Sequence, residues 1–121
     1  MLFIEDDVIY LTKGDDAALE LNLTTGSGAY EMNTGDVLTF TVRERPDAGS
    51  DILLEISSET SRIAIAHADT ANLSVGAYSA DIQILTADGK RVTVFPKLVG
   101  ANRMRISNWK NFVIMPEVSM G

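Results

Sequence analysis

The chain has 121 residues, 45% of them hydrophobic and 22% charged, a composition that suits one globular domain able to bury a core without covalent staples. With no cysteine, a single histidine and a formal net charge of −7, it excludes a disulfide framework, a structural zinc site and a cysteine nucleophile. The same charge disfavours phosphate backbones and anionic membranes, so neither nucleic acid nor membrane is an expected partner.

In chain order, Met1-Leu2-Phe3-Ile4 runs straight into Glu5-Asp6-Asp7, the reverse of a basic, long-apolar leader, so no signal peptide is expected. A first strand is expected over 8–12. Leu19, Leu21 and Leu23 then alternate with Glu20, Asn22 and Thr24, predicting a strand over 17–24 with one apolar face. Leu38, Phe40 and Val42 repeat the pattern over 37–43, and Ile52, Leu54 and Ile56 over 52–57. Ile63 and Ile65 do so over 62–66, and Tyr78, Ala80, Ile82 and Ile84 over 77–86. A seventh strand is expected over 90–98, joined to the sixth by a hairpin at Asp88-Gly89.

Between the strands, Thr25-Gly26-Ser27-Gly28, Asn33-Thr34-Gly35-Asp36, Pro46 to Ser50 and Asn72 to Gly76 have turn chemistry. Helical periodicity is confined to Ala66 to Leu73, enough for one or two turns. Short strands at regular spacing predict an all-β domain over residues 1–98, an immunoglobulin-like β-sandwich of about seven antiparallel strands. Leu73-x-x-Gly76-x-Tyr78-x-Ala80 sharpens this, because a tyrosine opening the sixth strand of such folds bonds its hydroxyl to the chain just upstream.

Residues 99–121 form a C-terminal extension, either an added edge strand or an interface segment. Its run Phe112-Val113-Ile114-Met115 is apolar on both faces, so it is either covered by the domain or offered to another chain. Residues 1–96 carry six basic and sixteen acidic side chains, whereas residues 97–121 carry Lys97, Arg103, Arg105 and Lys110 against Glu117 alone. Arg103, Arg105, Trp109, Lys110 and Phe112 are therefore the candidate interface. An acidic body with a basic tail suits head-to-tail contact between identical copies.

No enzyme signature emerges. His67 beside Asp69 lacks a nucleophile elbow, and neighbours on a strand or turn point apart. The turn aspartates, among them Asp6, Asp7, Asp15, Asp16, Asp36, Asp47 and Asp51, follow no calcium-loop spacing. Gly26-x-Gly28 precedes neither a lysine-serine element nor a helix, so it reads as a hairpin turn. The expectation is a non-catalytic module with no cofactor and no metal. An alternative, a carbohydrate- or ligand-binding module, would use exposed aromatics, and the 7% aromatic content offers little for sugar stacking.

Tyr10-Leu11-Thr12-Lys13-Gly14-Asp15-Asp16-Ala17-Ala18-Leu19, Gly35-Asp36-Val37-Leu38-Thr39-Phe40-Thr41-Val42 and Gly76-Ala77-Tyr78-Ser79-Ala80-Asp81-Ile82-Gln83 together resemble a group of phage and prophage proteins. These are small immunoglobulin-like domains similar to the N-terminal domain of the baseplate upper protein of phages infecting Gram-positive bacteria. The resemblance covers residues 5–95 loosely, and residues 97–121 lie outside it. It implies a virion structural protein of the tail or baseplate, made in the host cytoplasm. Its partners would be other tail proteins or copies of itself, as a homo-oligomer or part of a larger assembly, with no catalytic residues.

Overall fold

The structure is a computed structural model that describes residues 2–5, 8–25, 28–45, 51–95 and 110–116. The described residues are all-β apart from one helical turn. Its strands are β1 (Leu2–Glu5), β2 (Val8–Thr12), β3 (Ala17–Glu20), β4 (Thr24–Thr25), β5 (Gly28–Ala29), β6 (Val37–Arg43), β7 (Ile52–Ser58), β8 (Arg62–Ile65), β9 (Gly76–Leu85), β10 (Arg91–Phe95) and β11 (Phe112–Met115), with helix α1 (His67–Thr70) between β8 and β9. Seven strands make one mixed sheet in the order β1-β2-β11-β9-β6-β7, with β10 beside the C-terminal half of β9. β3 pairs with β8, and β4 with β5, in separate two-stranded sheets.

Alternation places the core where the sequence predicts it. On β6, Leu38, Phe40 and Val42 are fully buried, while Val37, Thr39, Thr41 and Arg43 share the half-buried outer face. Tyr78, Ala80, Ile82 and Ile84 of β9 join the buried set, and Leu19, Ile63 and Ile65 of β3 and β8 belong to the same cluster. One such buried aliphatic or aromatic side chain contributes roughly 1.5–3 kcal/mol of transfer free energy, so this cluster dominates stability. The tyrosine bond is present: the Tyr78 hydroxyl donates to the Ser74 carbonyl at 2.6 Å.

The C-terminal run departs from the expectation in an informative way. β11 is an added strand, but it is not an edge. It lies between β2, to which it is parallel, and β9, to which it is antiparallel, so the sheet is mixed where only antiparallel pairing was expected. This position explains its doubly apolar character: Phe112 and Ile114 are buried inward, and Val113 and Met115 are half-buried on the other face. A boundary after residue 98 therefore does not separate an appendage from a complete core, because a central strand comes after it.

Two bulges correct the detail. Between Val42 and Arg43 the β6–β7 register skips Leu53, so Ile52 stands opposite outward-facing Arg43 and is 48% exposed instead of inward. A second shift between Thr93 and Phe95 ends the β10 pairing at Ile82. β1 was not anticipated, and around the hairpin turn expected at Gly26-x-Gly28 the two short strands β4 and β5 are new. β3 also stops at Glu20, short of the expected 24, although Leu21 and Leu23 still pack against the core. The expected turn at 46–50 and the end of the seventh strand at 96–98 lie outside the described residues.

Candidate functional site

The polar groups that the fold buries are the first candidates for chemistry, and their partners define their roles. Asp36 closes the turn before β6, where Gly35 adopts φ +96°. Its carboxylate accepts the Asn33 and Ala87 amides, both at 2.9 Å, and the Tyr30 hydroxyl. The Tyr30 hydroxyl, then the two amides, hold the Asp36 carboxyl below the usual carboxylate range against the opposing effect of burial. The same bond raises Tyr30. With three donors satisfied, Asp36 acts as a brace joining the turn before β6 to the turn after β9.

Asn111 is a second brace. β10 leaves β9 at Ile82 and β11 joins it at Tyr78, so Ala80 faces a gap in the neighbouring strand. The buried Asn111 side chain fills it: Oδ1 accepts the Ala80 amide at 2.6 Å and Nδ2 donates to the Ala80 carbonyl at 2.9 Å. Its backbone donates to Tyr78 and accepts from Ile9, at 3.0 and 2.8 Å. A side-chain amide thus replaces one residue of β-ladder.

His67 pairs with Asp16, not with its sequence neighbour Asp69. The Asp16 carboxylate accepts the His67 backbone amide at 2.6 Å and lies 2.9 Å from Nδ1, and the backbone bond is the main reason that the Asp16 carboxyl is lowered. Asp69 instead accepts the Ala66 amide at 2.7 Å and caps α1. The pair is exposed. Among the described residues no group of three or more His, Cys, Asp or Glu side chains could hold a metal, and every buried side-chain nitrogen or oxygen has a partner.

The predicted interface residues part company. Arg103, Arg105 and Trp109 lie outside the described residues. Lys110 is half-buried and its Nζ donates to the Glu44 carbonyl. Phe112 is 0% exposed and packs edge-on against Phe40 at 5.6 Å between ring centroids, so it belongs to the core and presents no surface to a partner. Apolar periodicity alone does not distinguish such an interior strand from an exposed one.

The chain matches no family model, no curated protein and no solved structure. Its own surface carries the remaining indications. On the outer face of the large sheet, Thr39, Thr41, Arg43, Glu55, Asp81 and Gln83 line a depression of about 290 Å³. Half-buried there, Asp81 is raised by desolvation, partly offset by the Arg43 guanidinium. Among the exposed large apolar side chains, Phe3 and Ile4 lie on β1, Ile52 and Leu53 on β7, and Val92 on β10. Among the described strands, all three are edges of the large sheet. The sequence signal for β1 was available in Leu2-Phe3-Ile4, but a three-residue apolar run before three acids reads as a poor leader before it reads as a strand. No described helix is long and apolar enough to cross a membrane, which leaves membrane β-barrels untouched.

Proposed function

We propose that this protein is a non-catalytic, immunoglobulin-like β-sandwich that serves as a structural component of a phage or prophage tail or baseplate, acting by docking and self-assembly. The observation that carries this reading is where the polar and apolar groups are placed. The buried Asp36 and Asn111 brace backbone turns and strands, while five of the seven exposed large apolar side chains among the described residues lie on the edge strands β1, β7 and β10, the others being Val75 before β9 and Leu85 at its end. A surface of that kind favours another protein over a small reacting molecule. The Tyr78–Ser74 hydrogen bond and the Gly-Asp turn braced by Asp36 involve the same segments that resemble the phage domains, which supports the fold half of the proposal.

Mass spectrometry of purified particles made from the genome that encodes the chain tests the role. The chain is expected in stoichiometric amounts with tail proteins. Its absence from intact particles and from purified tails refutes the proposal.

A further inference from the structure

We propose that two copies of the chain join through their β1 edges, antiparallel and about a two-fold axis at Phe3, so that the two large sheets become one. This rests on the assembly reading above and names the contact that it lacks. Among the described residues β1 is hydrogen-bonded on one side only, to β2. The other side is a row of backbone donors and acceptors suited to another strand.

The three open edges of the large sheet differ. β7 is bulged at Val42/Arg43 and carries Glu55 and two serines; β10 is bulged at Thr93/Phe95 and begins at Arg91. Bulges and charges blunt an edge against pairing. β1 has no bulge, no proline and no cation; its one charged residue, Glu5, stands at its end and not in its middle as Glu55 does in β7, and its register with β2 is continuous from Leu2 to Glu5.

Self-complementarity selects a second copy as the occupant. Leu2 and Ile4 are opposite Leu11 and Ile9, on the core side, while Phe3 is opposite Tyr10 and stacks on it at 4.7 Å on the outer side. A two-fold axis normal to the sheet keeps each face on its own side only if the residue numbers of opposed positions sum to an even value. Centred on Phe3, it sets Phe3 against Phe3 and Leu2 against Ile4, so that each of these side chains meets an apolar one. The row Ala77, Val113, Tyr10, Phe3 then continues unbroken into its mate. A four-residue edge pair falls well short of the roughly 1,200 Å² of a stable interface, so the contact is weak alone and gains occupancy when copies are held together.

A chain without cysteine makes the test direct. Residues opposed in an antiparallel pair have Cα atoms about 4.5–5.5 Å apart, within disulfide reach. Under mild oxidation, full-length Phe3→Cys is expected to form disulfide dimers about tenfold faster than Ser57→Cys on the opposite edge. At concentrations high enough for the wild type to self-associate, Phe3→Lys and Phe3→Glu should each still sediment as monomers, and their mixture should associate. Ile4→Lys, at a 54% exposed position, should disperse the pair without unfolding the core. Equal crosslinking of the two cysteine variants overturns the β1 pairing while leaving assembly by another surface intact. Loss of binding to tail proteins in Phe3→Lys with unchanged self-association assigns β1 to a different protein and overturns the second copy.

Discussion

Replacing Asn111 with alanine removes the amide that spans the gap between β10 and β11. In the native chain Oδ1 and Nδ2 satisfy both backbone groups of Ala80 at 2.6 and 2.9 Å, in a site where Asn111 and Ala80 are 3% and 5% exposed. Truncation leaves one buried donor and one buried acceptor unpaired, each costing about 1–3 kcal/mol. The expected loss is thus about 2–5 kcal/mol, a large part of the roughly 5–15 kcal/mol typical of a domain. With a urea slope of about 1–3 kcal/mol/M, the unfolding midpoint should fall by roughly 1–2 M with the slope unchanged. Asn111→Asp adds a sign test. A carboxylate can accept the Ala80 amide but opposes the Ala80 carbonyl, so burial and that carbonyl raise its folded pKa above the unfolded value. The variant's stability should then be fully present at low pH, where the acid donates to the carbonyl, and should be lost as pH rises through the raised pKa. A cost below about 1 kcal/mol for Asn111→Ala would refute the reasoning, since Ala80 would then find partners elsewhere.

Other positions give independent checks. Gly35→Ala places a Cβ 2.9 Å from that of Ala87 at φ +96°, so it should cost about 1–3 kcal/mol in urea unfolding, and Ala87→Gly should relieve only the contact. Asp36 has a lowered carboxyl, so its contribution is present above the unfolded pKa of about 3.9 and is lost as pH falls through the lower folded value. Urea titrations of wild type and Asp36→Asn should therefore differ at pH 7 and converge under strong acid. Tyr78→Phe deletes the 2.6 Å bond to Ser74, costing about 1 kcal/mol and lowering the thermal midpoint by about 4 °C. A fragment ending at residue 98 lacks β11, including the fully buried Phe112 and Ile114, and should show no cooperative thermal transition.

Much of the fold was legible because a strand with one buried face writes its period into the sequence. Val8–Thr12 and Val37–Arg43 match the expected bounds, and Tyr78 bonds upstream as its position implied. The features that were not legible depend on partners far away in the chain. Ile52 follows the inward alternation of Leu54 and Ile56, yet the bulge at Leu53 reverses it, and no local signal marks that extra residue. Phe112-Val113-Ile114-Met115 is apolar on both faces whether it is an edge or, as here, a strand between two others. Asn111 reads locally as a loop residue, because its value lies in the backbone of Ala80, 31 positions earlier. Asp36 was legible as a turn acid, but its bond to Ala87 appears only when the two turns meet.

Assembly without catalysis is the central claim, and light scattering on the eluting peak of a size-exclusion column tests it most directly. Run over a wide concentration range and again with purified tail proteins, the 13.1 kDa chain is predicted to show a mass that rises with concentration or to co-elute with a tail component. A mass fixed at 13.1 kDa under every condition, with no co-elution, would contradict it.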